Sequence, residues 1–302
     1  MAIRLRRSEL ATPASSPEMI RHAATSAADL VFLDLEDSVV PALKIEAREH
    51  AVRALNELDW GRKTRGVRVN GACTPWAYED VISIVERAAH CLDVLIIPKV
   101  KAPRDVWFFD TLLAQLEAKL SLGRRIGLEA LIEETEALSC VEEIAGCSPR
   151  LEALILGVGD LAASQGVRLR RLLDPQERYP GDLWHYARTR MVVAARAHGL
   201  DAIDGPYFNF ADRDGFHREA TWSATLGCVG KWAIHPSQIE VANEVFAPTD
   251  QEIEFAREMC AAYENGAQVG SGASGTRGFM VDAASVRIFN AVLERARLTG
   301  RA

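Results

Sequence analysis

Short, almost unbroken apolar runs alternate along this chain with longer segments whose apolar residues recur every three or four positions. The runs fall at 8–13 (SELATP), 30–37 (LVFLDLED), 66–70 (GVRVN), 94–100 (VLIIPKV), 128–132 (LEALI), 151–157 (LEALILG), 201–207 (DAIDGPY) and 230–235 (GKWAIH). Runs of this length and apolarity predict strands buried on both faces, as in a parallel sheet. The intervening segments carry helix signals. Ser16 stands as an N-cap before Pro17, and Pro41 and Thr74-Pro75 open further helices. The helix after Pro41 turns Leu43, Ala47, Ala51, Ala54 and Leu58 inward. Residues 135–147 put Leu138, Val141, Ile144 and Ala145 on one face, and Asp182 caps a helix that Gly199 stops. Eight strand–helix repeats predict an α/β fold, a (β/α)8 TIM barrel. The competing architecture is a doubly wound open sheet, and no Gly-x-Gly-x-x-Gly turn follows the first strand to favour it.

The barrel accounts for residues 1–247, leaving 248–302 as a C-terminal helical extension. There, Pro248-Thr249-Asp250 opens a helix to about residue 265, and residues 266–278 hold five glycines in thirteen positions. Phe279-Met280-Val281-Asp282 and a last helix follow. A Gly-rich loop delivering an acid reads as a lid, as an arm packing on a neighbouring subunit, or as a linker before a packing helix. The connection 167–181, with two prolines and four arginines, is long for a barrel loop and reads as functional or interfacial.

Composition narrows the function. A net charge of −7 over 302 residues argues against a nucleic-acid surface. Six scattered cysteines without a C-x-x-C pair point to reduced thiols in a cytoplasmic protein. No signal peptide and no apolar segment of about 20 residues is present, so no membrane partner is expected.

In a parallel barrel the carboxyl ends of the strands form one rim, where chemistry is done. Glu133 ends the fifth run and Asp160 follows the sixth, past Gly157-Val158-Gly159. Two carboxylates at neighbouring strand ends suit Mg²⁺ or Mn²⁺, or else cap helices and pair with arginines. Glu134 competes with Glu133, since only one of two adjacent residues faces the axis. Arg68, in an apolar strand, needs a partner: Asp34 or Glu36, or a substrate carboxylate or carbonyl. Asp34 and Glu36 share a strand face, with Asp37 beside them, and are candidates for holding metal-bound water. Lys44 and Arg48 on the next helix are placed to neutralise them. Lys99 suits a phosphate or an ion pair, and His235 at the last strand end is more often structural than catalytic.

Taken together, RSELATPASSPEMI (7–20), FLDLEDSVVPALKIEAR (32–48), VRVNG (67–71), IIPKV (96–100), LIEE (131–134), GVGDLAASQG (157–166), AIDGPY (202–207), GKWAIHPSQIEVANEVFAPT (230–249) and MVDAASVR (280–287) resemble the HpcH/HpaI aldolase family. Within it they resemble the citrate lyase β-subunit-like branch, especially the L-malyl-CoA/β-methylmalyl-CoA lyases. The resemblance implies a (β/α)8 barrel, a homotrimer or homohexamer, Mg²⁺, and a coenzyme A (CoA) thioester as substrate. It implies Glu133 and Asp160 as metal ligands and Arg68 at the substrate's reacting oxygens. Gly159 and Asp160 join Arg68 as substrate-binding positions. Asp282 matches an acid/base that an adjacent subunit supplies. Arg277 departs from the pattern, standing where an acid is common. Arg7, Lys99 and His235 are the candidate contacts for the CoA part, and Asp34, Glu36, Asp37 and Lys44 for the supporting layer.

The implied reaction is reversible carbon–carbon cleavage of a 3-hydroxyacyl-CoA. L-malyl-CoA or β-methylmalyl-CoA would give glyoxylate with acetyl-CoA or propionyl-CoA. The alternatives are a citramalyl-CoA lyase giving pyruvate, a malyl-CoA thioesterase, and a citrate lyase β subunit working in a complex.

Overall fold

A computed structural model describes residues 4–168, 181–268 and 273–301. Eight parallel strands close a barrel in sequence order. They are β1 (Ser8–Pro13), β2 (Leu30–Asp34), β3 (Thr64–Arg68), β4 (Val94–Ile97), β5 (Gly127–Ile132), β6 (Leu151–Leu156), β7 (Asp201–Asp204) and β8 (Gly230–Ala233). The barrel closes where Glu9 and Leu10 of β1 pair with Trp232 and Ala233 of β8. Helices follow the strands, so the protein is a (β/α)8 barrel. Among the described residues, no helix is long and apolar enough to cross a membrane.

The barrel interior is layered. Its middle is apolar, built from Leu30, Phe32, Val94, Ile96, Leu131, Ala153, Ile155, Ile203 and Trp232. The rings of Phe32 and Trp232 lie 4.6 Å apart across it. Below, at the amino ends of the strands, Arg6 plugs the opening. Its guanidinium donates to Glu129 at 2.9 Å, Glu152 at 2.5 Å and Asp201 at 3.1 Å. The Trp232 indole N–H donates to Glu9 at 2.8 Å in the same layer. Burial raises the carboxyls of both Glu9 and Glu129.

Several elements differ in detail from the sequence expectation. Ser16 does cap α1 (Pro17–Thr25), its side chain accepting from the Met19 N–H. Pro41 opens a 3-10 turn, Pro41–Leu43, before α2 (Lys44–Glu57), and this leaves Leu43 exposed instead of inward. After α3 (Ala77–Ala88) and α4 (Pro103–Lys119), the expected helix 135–147 breaks at Cys140. It forms α5 (Thr135–Ser139) and α6 (Val141–Ala145). A further short helix, α7 (Val158–Ser164), begins straight after β6 and carries Asp160 in its first turn. Asp182 does not cap α8 (His185–Ala197) but precedes it, pairing with Arg188. Beyond α9 (Arg213–Leu226), residues 236–238 form a 3-10 turn leading into α10 (Ile239–Val245). The connection 167–181 lies outside the described residues except at its ends.

The described chain divides into two compact units, Met1–Asn243 and Glu244–Ala302. The second holds α11 (Asp250–Gln268), an antiparallel pair β9 (Ala273–Thr276) and β10 (Phe279–Asp282), and α12 (Ala283–Leu298). The first strand and the turn of this hairpin fall within the stretch 266–278 expected to be a loop, and the second strand is the segment expected to follow it. Arg277 and Gly278 form its two-residue turn, both with positive φ (49° and 79°), which matches the twist of paired strands.

Outside the barrel wall, Asp204 sits fully buried between two cations. It accepts from Arg188 at 2.8 Å and from Lys231 at 2.7 Å. Burial alone would raise this carboxyl, but Lys231 and Arg188 hold it below the ordinary range. Its contribution to stability is therefore complete above the unfolded Asp value of about 3.9 and lost as pH falls through the lower folded value. Asp204→Ala strands two buried cations and should cost about 3–5 kcal/mol in urea unfolding. The variant should also lose less further stability than the parent between pH 5 and pH 2; equal acid sensitivity would show that Asp204 does not carry the effect.

Candidate active site

The carboxyl rim gathers its charged side chains from consecutive strand ends. Asp34 and Arg68 are the last residues of β2 and β3 and stand opposite each other in register. Arg68 donates from Nε and Nη2 to the two Asp34 oxygens at 2.7 and 2.6 Å, a bidentate pair. Its Nη1 lies 3.2 Å from Glu36. Below it are the faces of Trp232 and Phe32, 5.4 and 6.0 Å from the guanidinium carbon. Burial opposes both charges, yet Arg68 holds the Asp34 carboxyl below its usual range and the acids hold the guanidinium above its own. Of the two partners open to Arg68 in the sequence, the internal acids are present.

Glu133 follows β5 and is buried, with only 1% of its surface exposed. Its Oε1 accepts from the Lys99 backbone N–H at 2.6 Å. Its other side lies over Gly157, where a Cβ would meet Glu133 Cβ at 2.4 Å and Oε2 at 2.6 Å. Burial pushes the Glu133 carboxyl up to about 8, against the pull of Lys99. Glu134 turns away, 3.7 Å from Lys101. Asp160 faces Glu133's cavity from α7. The Lys99 ammonium lies 2.6 Å from Glu36, 3.0 Å from Asp37 and 3.4 Å from Asp160.

Glu133 and Asp160 fit a hard divalent cation. Both offer oxygen alone, the donor type that such cations prefer. Among the described residues, no cluster of three or more His, Cys, Asp or Glu side chains forms a full protein cage. Such a pair leaves coordination positions for water and substrate.

These groups line one cavity of 380 Å³. Arg68, Asp34, Glu133 and Asp160 form its polar side, while Leu131, Pro206, Phe208, Trp232 and Ile234 supply apolar walls. Gly159 also lines it, and a Cβ there would come within 2.9 Å of the Phe208 ring. Phe208 and Trp232 were not legible as site residues. Nothing in the sequence marks an aromatic on a loop or strand as facing the axis.

Other expected residues lie elsewhere. Arg7 precedes β1, so it sits at the amino end of the strands, opposite the rim. It is held there by Asp29 through Nε and Nη2 at 2.7 and 2.8 Å. Arg7 is thus no contact for a ligand in this cavity. Lys44 binds the backbone oxygens of Leu35 and Glu36 at 2.8 and 3.0 Å, fixing the loop instead of neutralising its acids. Arg48 pairs with Asp80 and Glu79 on α3. Lys99 is occupied by the carboxylates, not free for phosphate. His235 is exposed after β8, its ring stacked on Phe210 at 4.8 Å. In the second unit, Asp282 caps α12. Its Oδ1 accepts from the N–H groups of Ala284 and Ser285 and from the Ser285 hydroxyl. Those bonds, from Ser285 first, hold its carboxyl below the usual range.

The profile of the HpcH/HpaI aldolase/citrate lyase family matches residues 7–236, which takes in all eight barrel strands and the whole rim. The chain belongs to this family. Among its HpcH/HpaI relatives is the L-malyl-CoA/β-methylmalyl-CoA lyase of Rhodobacter capsulatus, 42% identical over 98% of this chain and 96% of that protein. The malyl-CoA/β-methylmalyl-CoA/citramalyl-CoA lyase of Chloroflexus aurantiacus is 36% identical over 90% of this chain and 82% of that protein. The structure is also similar to that of CitE from Mycobacterium tuberculosis in complex with magnesium, acetoacetate and coenzyme A. That likeness has a TM-score of 0.75 and 29% identity, covering 96% of this chain and 97% of the other.

The close approach of Gly157 to Glu133 makes a specific prediction for this HpcH/HpaI member. Gly157→Ala should displace the Glu133 carboxylate by about 1 Å and destabilise the fold by about 1–3 kcal/mol. A crystal structure of the variant with Glu133 unmoved would contradict this.

Proposed function

We propose that the protein is a Mg²⁺-dependent carbon–carbon lyase for CoA thioesters of 3-hydroxy acids, with L-malyl-CoA or β-methylmalyl-CoA as substrate. The observation that carries this reading is the convergence of Arg68, Glu133 and Asp160 on one cavity. Full-length similarity to L-malyl-CoA/β-methylmalyl-CoA lyases supports the choice of substrate.

Cleavage is a net transfer of one proton, released from the 3-hydroxyl as its oxygen becomes the glyoxylate carbonyl and balanced by the one gained at the α-carbon. The bond between the α- and β-carbons breaks, and its electron pair passes into the thioester enolate. A proton returned to the α-carbon then gives acetyl-CoA or propionyl-CoA. Glu133 and Asp160 would hold Mg²⁺, which supplies Lewis-acid polarisation of the hydroxy-acid oxygens. Arg68 would stabilise the oxyanion. Its fork is oriented by Asp34 before substrate arrives, so little reorganisation accompanies the charge. The apolar walls around Trp232 and Phe208 would exclude water and strengthen that interaction.

Proton exchange at the α-carbon is assigned to Asp282. In the condensation direction its carboxylate, held ionised by the Ser285 cap, is the form that takes the proton. We assign the protein to a homotrimer or homohexamer in which a neighbouring subunit presents Asp282. His235 remains a proposed contact for the CoA part, and Mn²⁺ a substitute ion.

A panel of CoA thioesters with Mg²⁺ tests the reading by scoring glyoxylate, pyruvate and free CoA. Glyoxylate formation abolished by EDTA is expected. Pyruvate would make it a citramalyl-CoA lyase, and free CoA with malate a thioesterase. Glu133→Gln and Asp282→Asn should each lower kcat by at least about 10²-fold with the fold intact by circular dichroism. Co-expressed in mixed oligomers, these two inactive variants should regain partial activity, because some sites then combine an intact barrel with an intact Asp282. Absence of recovery would argue for Asp282 acting within its own chain.

A further inference from the structure

A cation belonging to the protein, Lys99, already touches both acids proposed for the divalent ion. Lys99 lies just after β4, and two parts of it serve different acids. Its backbone N–H donates to Glu133 Oε1 at 2.6 Å. Its ammonium reaches Glu36, Asp37 and Asp160. Lys99 is one of the few non-glycine residues with positive φ, at 52°. That conformation is unfavourable for a residue carrying a Cβ. The strained peptide points its N–H at Glu133 while the side chain crosses to the other acids.

We infer that Lys99 is a placeholder for the divalent ion, its ammonium leaving Asp160 when the ion binds and its backbone N–H orienting Glu133 throughout. The inference rests on the reading of Glu133 and Asp160 as metal ligands. The ammonium draws on Glu36, Asp37 and Asp160 while the backbone N–H holds Glu133, so one residue offsets the repulsion between the two proposed ligands and their acidic neighbours. The grip on Asp160 is the loosest of the three, at 3.4 Å against 2.6 Å for Glu36. A retreat is also available. Asp37 is about half exposed (54%) and the Lys99 side chain is one-third exposed (33%), so the flexible stem can carry the ammonium outward without losing every partner. Lys99 is accordingly a positioning residue, acting on the substrate only through the two ligands and the ion.

The placeholder makes an unusual prediction, that removing a residue from the site improves ion binding. Isothermal titration of MgCl₂ into the full chain, without substrate, measures this directly. Lys99→Met keeps the stem and the backbone N–H but removes the competing charge. It should bind Mg²⁺ about three- to tenfold more tightly, the range of one partly exposed ion pair. The same variant should melt at a lower temperature in EDTA than the parent and recover when Mg²⁺ is added. Lys99→Arg, which keeps a cation, should show neither gain. Mg²⁺ binding by Lys99→Met that is equal to or weaker than the parent's would overturn the inference, as would failure of Lys99→Met and Lys99→Gln to fold in both EDTA and Mg²⁺. Glu133→Gln separates the two levels. If the parent binds no Mg²⁺ that this change abolishes, the metal reading itself falls and takes the placeholder with it.

Discussion

A guanidinium at the mouth of a barrel is tolerable only if its charge is matched on the spot, and the Arg68–Asp34 pair does this. Left alone, either charge would be buried without compensation, at a cost of several kcal/mol. Together they form a planar fork between β2 and β3, braced from below by Trp232 and Phe32. The rest of the rim is arranged around that fixed point. Glu36 contacts the same guanidinium and also the Lys99 ammonium, and Lys99 in turn touches Asp160 and orients Glu133. One continuous set of contacts thus runs from β2 to α7 across the barrel mouth.

Much of the fold was legible because buried parallel strands are short apolar runs with few polar interruptions. LVFLD, VLII and LEALIL carry that signal plainly, and each is buried throughout. What periodicity misses is local. The break at Cys140 and the 3-10 turn at Pro41 follow from how the chain packs. The hairpin Ala273–Thr276 with Phe279–Asp282 was hidden by its glycines, and its Arg277-Gly278 turn lacks the Asn-Gly signature that usually announces a tight hairpin.

The site shows the same division. Acids at successive strand ends marked the rim, and Glu133 was separable from Glu134 only once each had a direction. Arg68 was conspicuous as a cation in an apolar strand. Its bond to Asp34 spans 34 positions, however, and depends on the β2–β3 register. Arg7 misled because a basic residue beside β1 is marked by sequence as near the barrel but not as above or below it. Lys99 was visible as a charge, whereas its two-way grip depends on a positive φ that Pro98-Lys99 does not announce.

The plug at the barrel's other end bears on how the chain is made. Arg6 finds its acceptors on β5, β6 and β7, between 123 and 195 residues downstream. During vectorial synthesis at roughly 5–20 residues per second, Arg6 must wait on the order of ten seconds or more for the last of them. Until then β1 also lacks β8, its neighbour at the seam. The half-made barrel is an open curved sheet with two unpaired edges and an unanchored amino end, and only late emergence of β7 and β8 lets the bottom lock. The static ion network is therefore also a statement about timing, for it delays closure until nearly the whole wall exists.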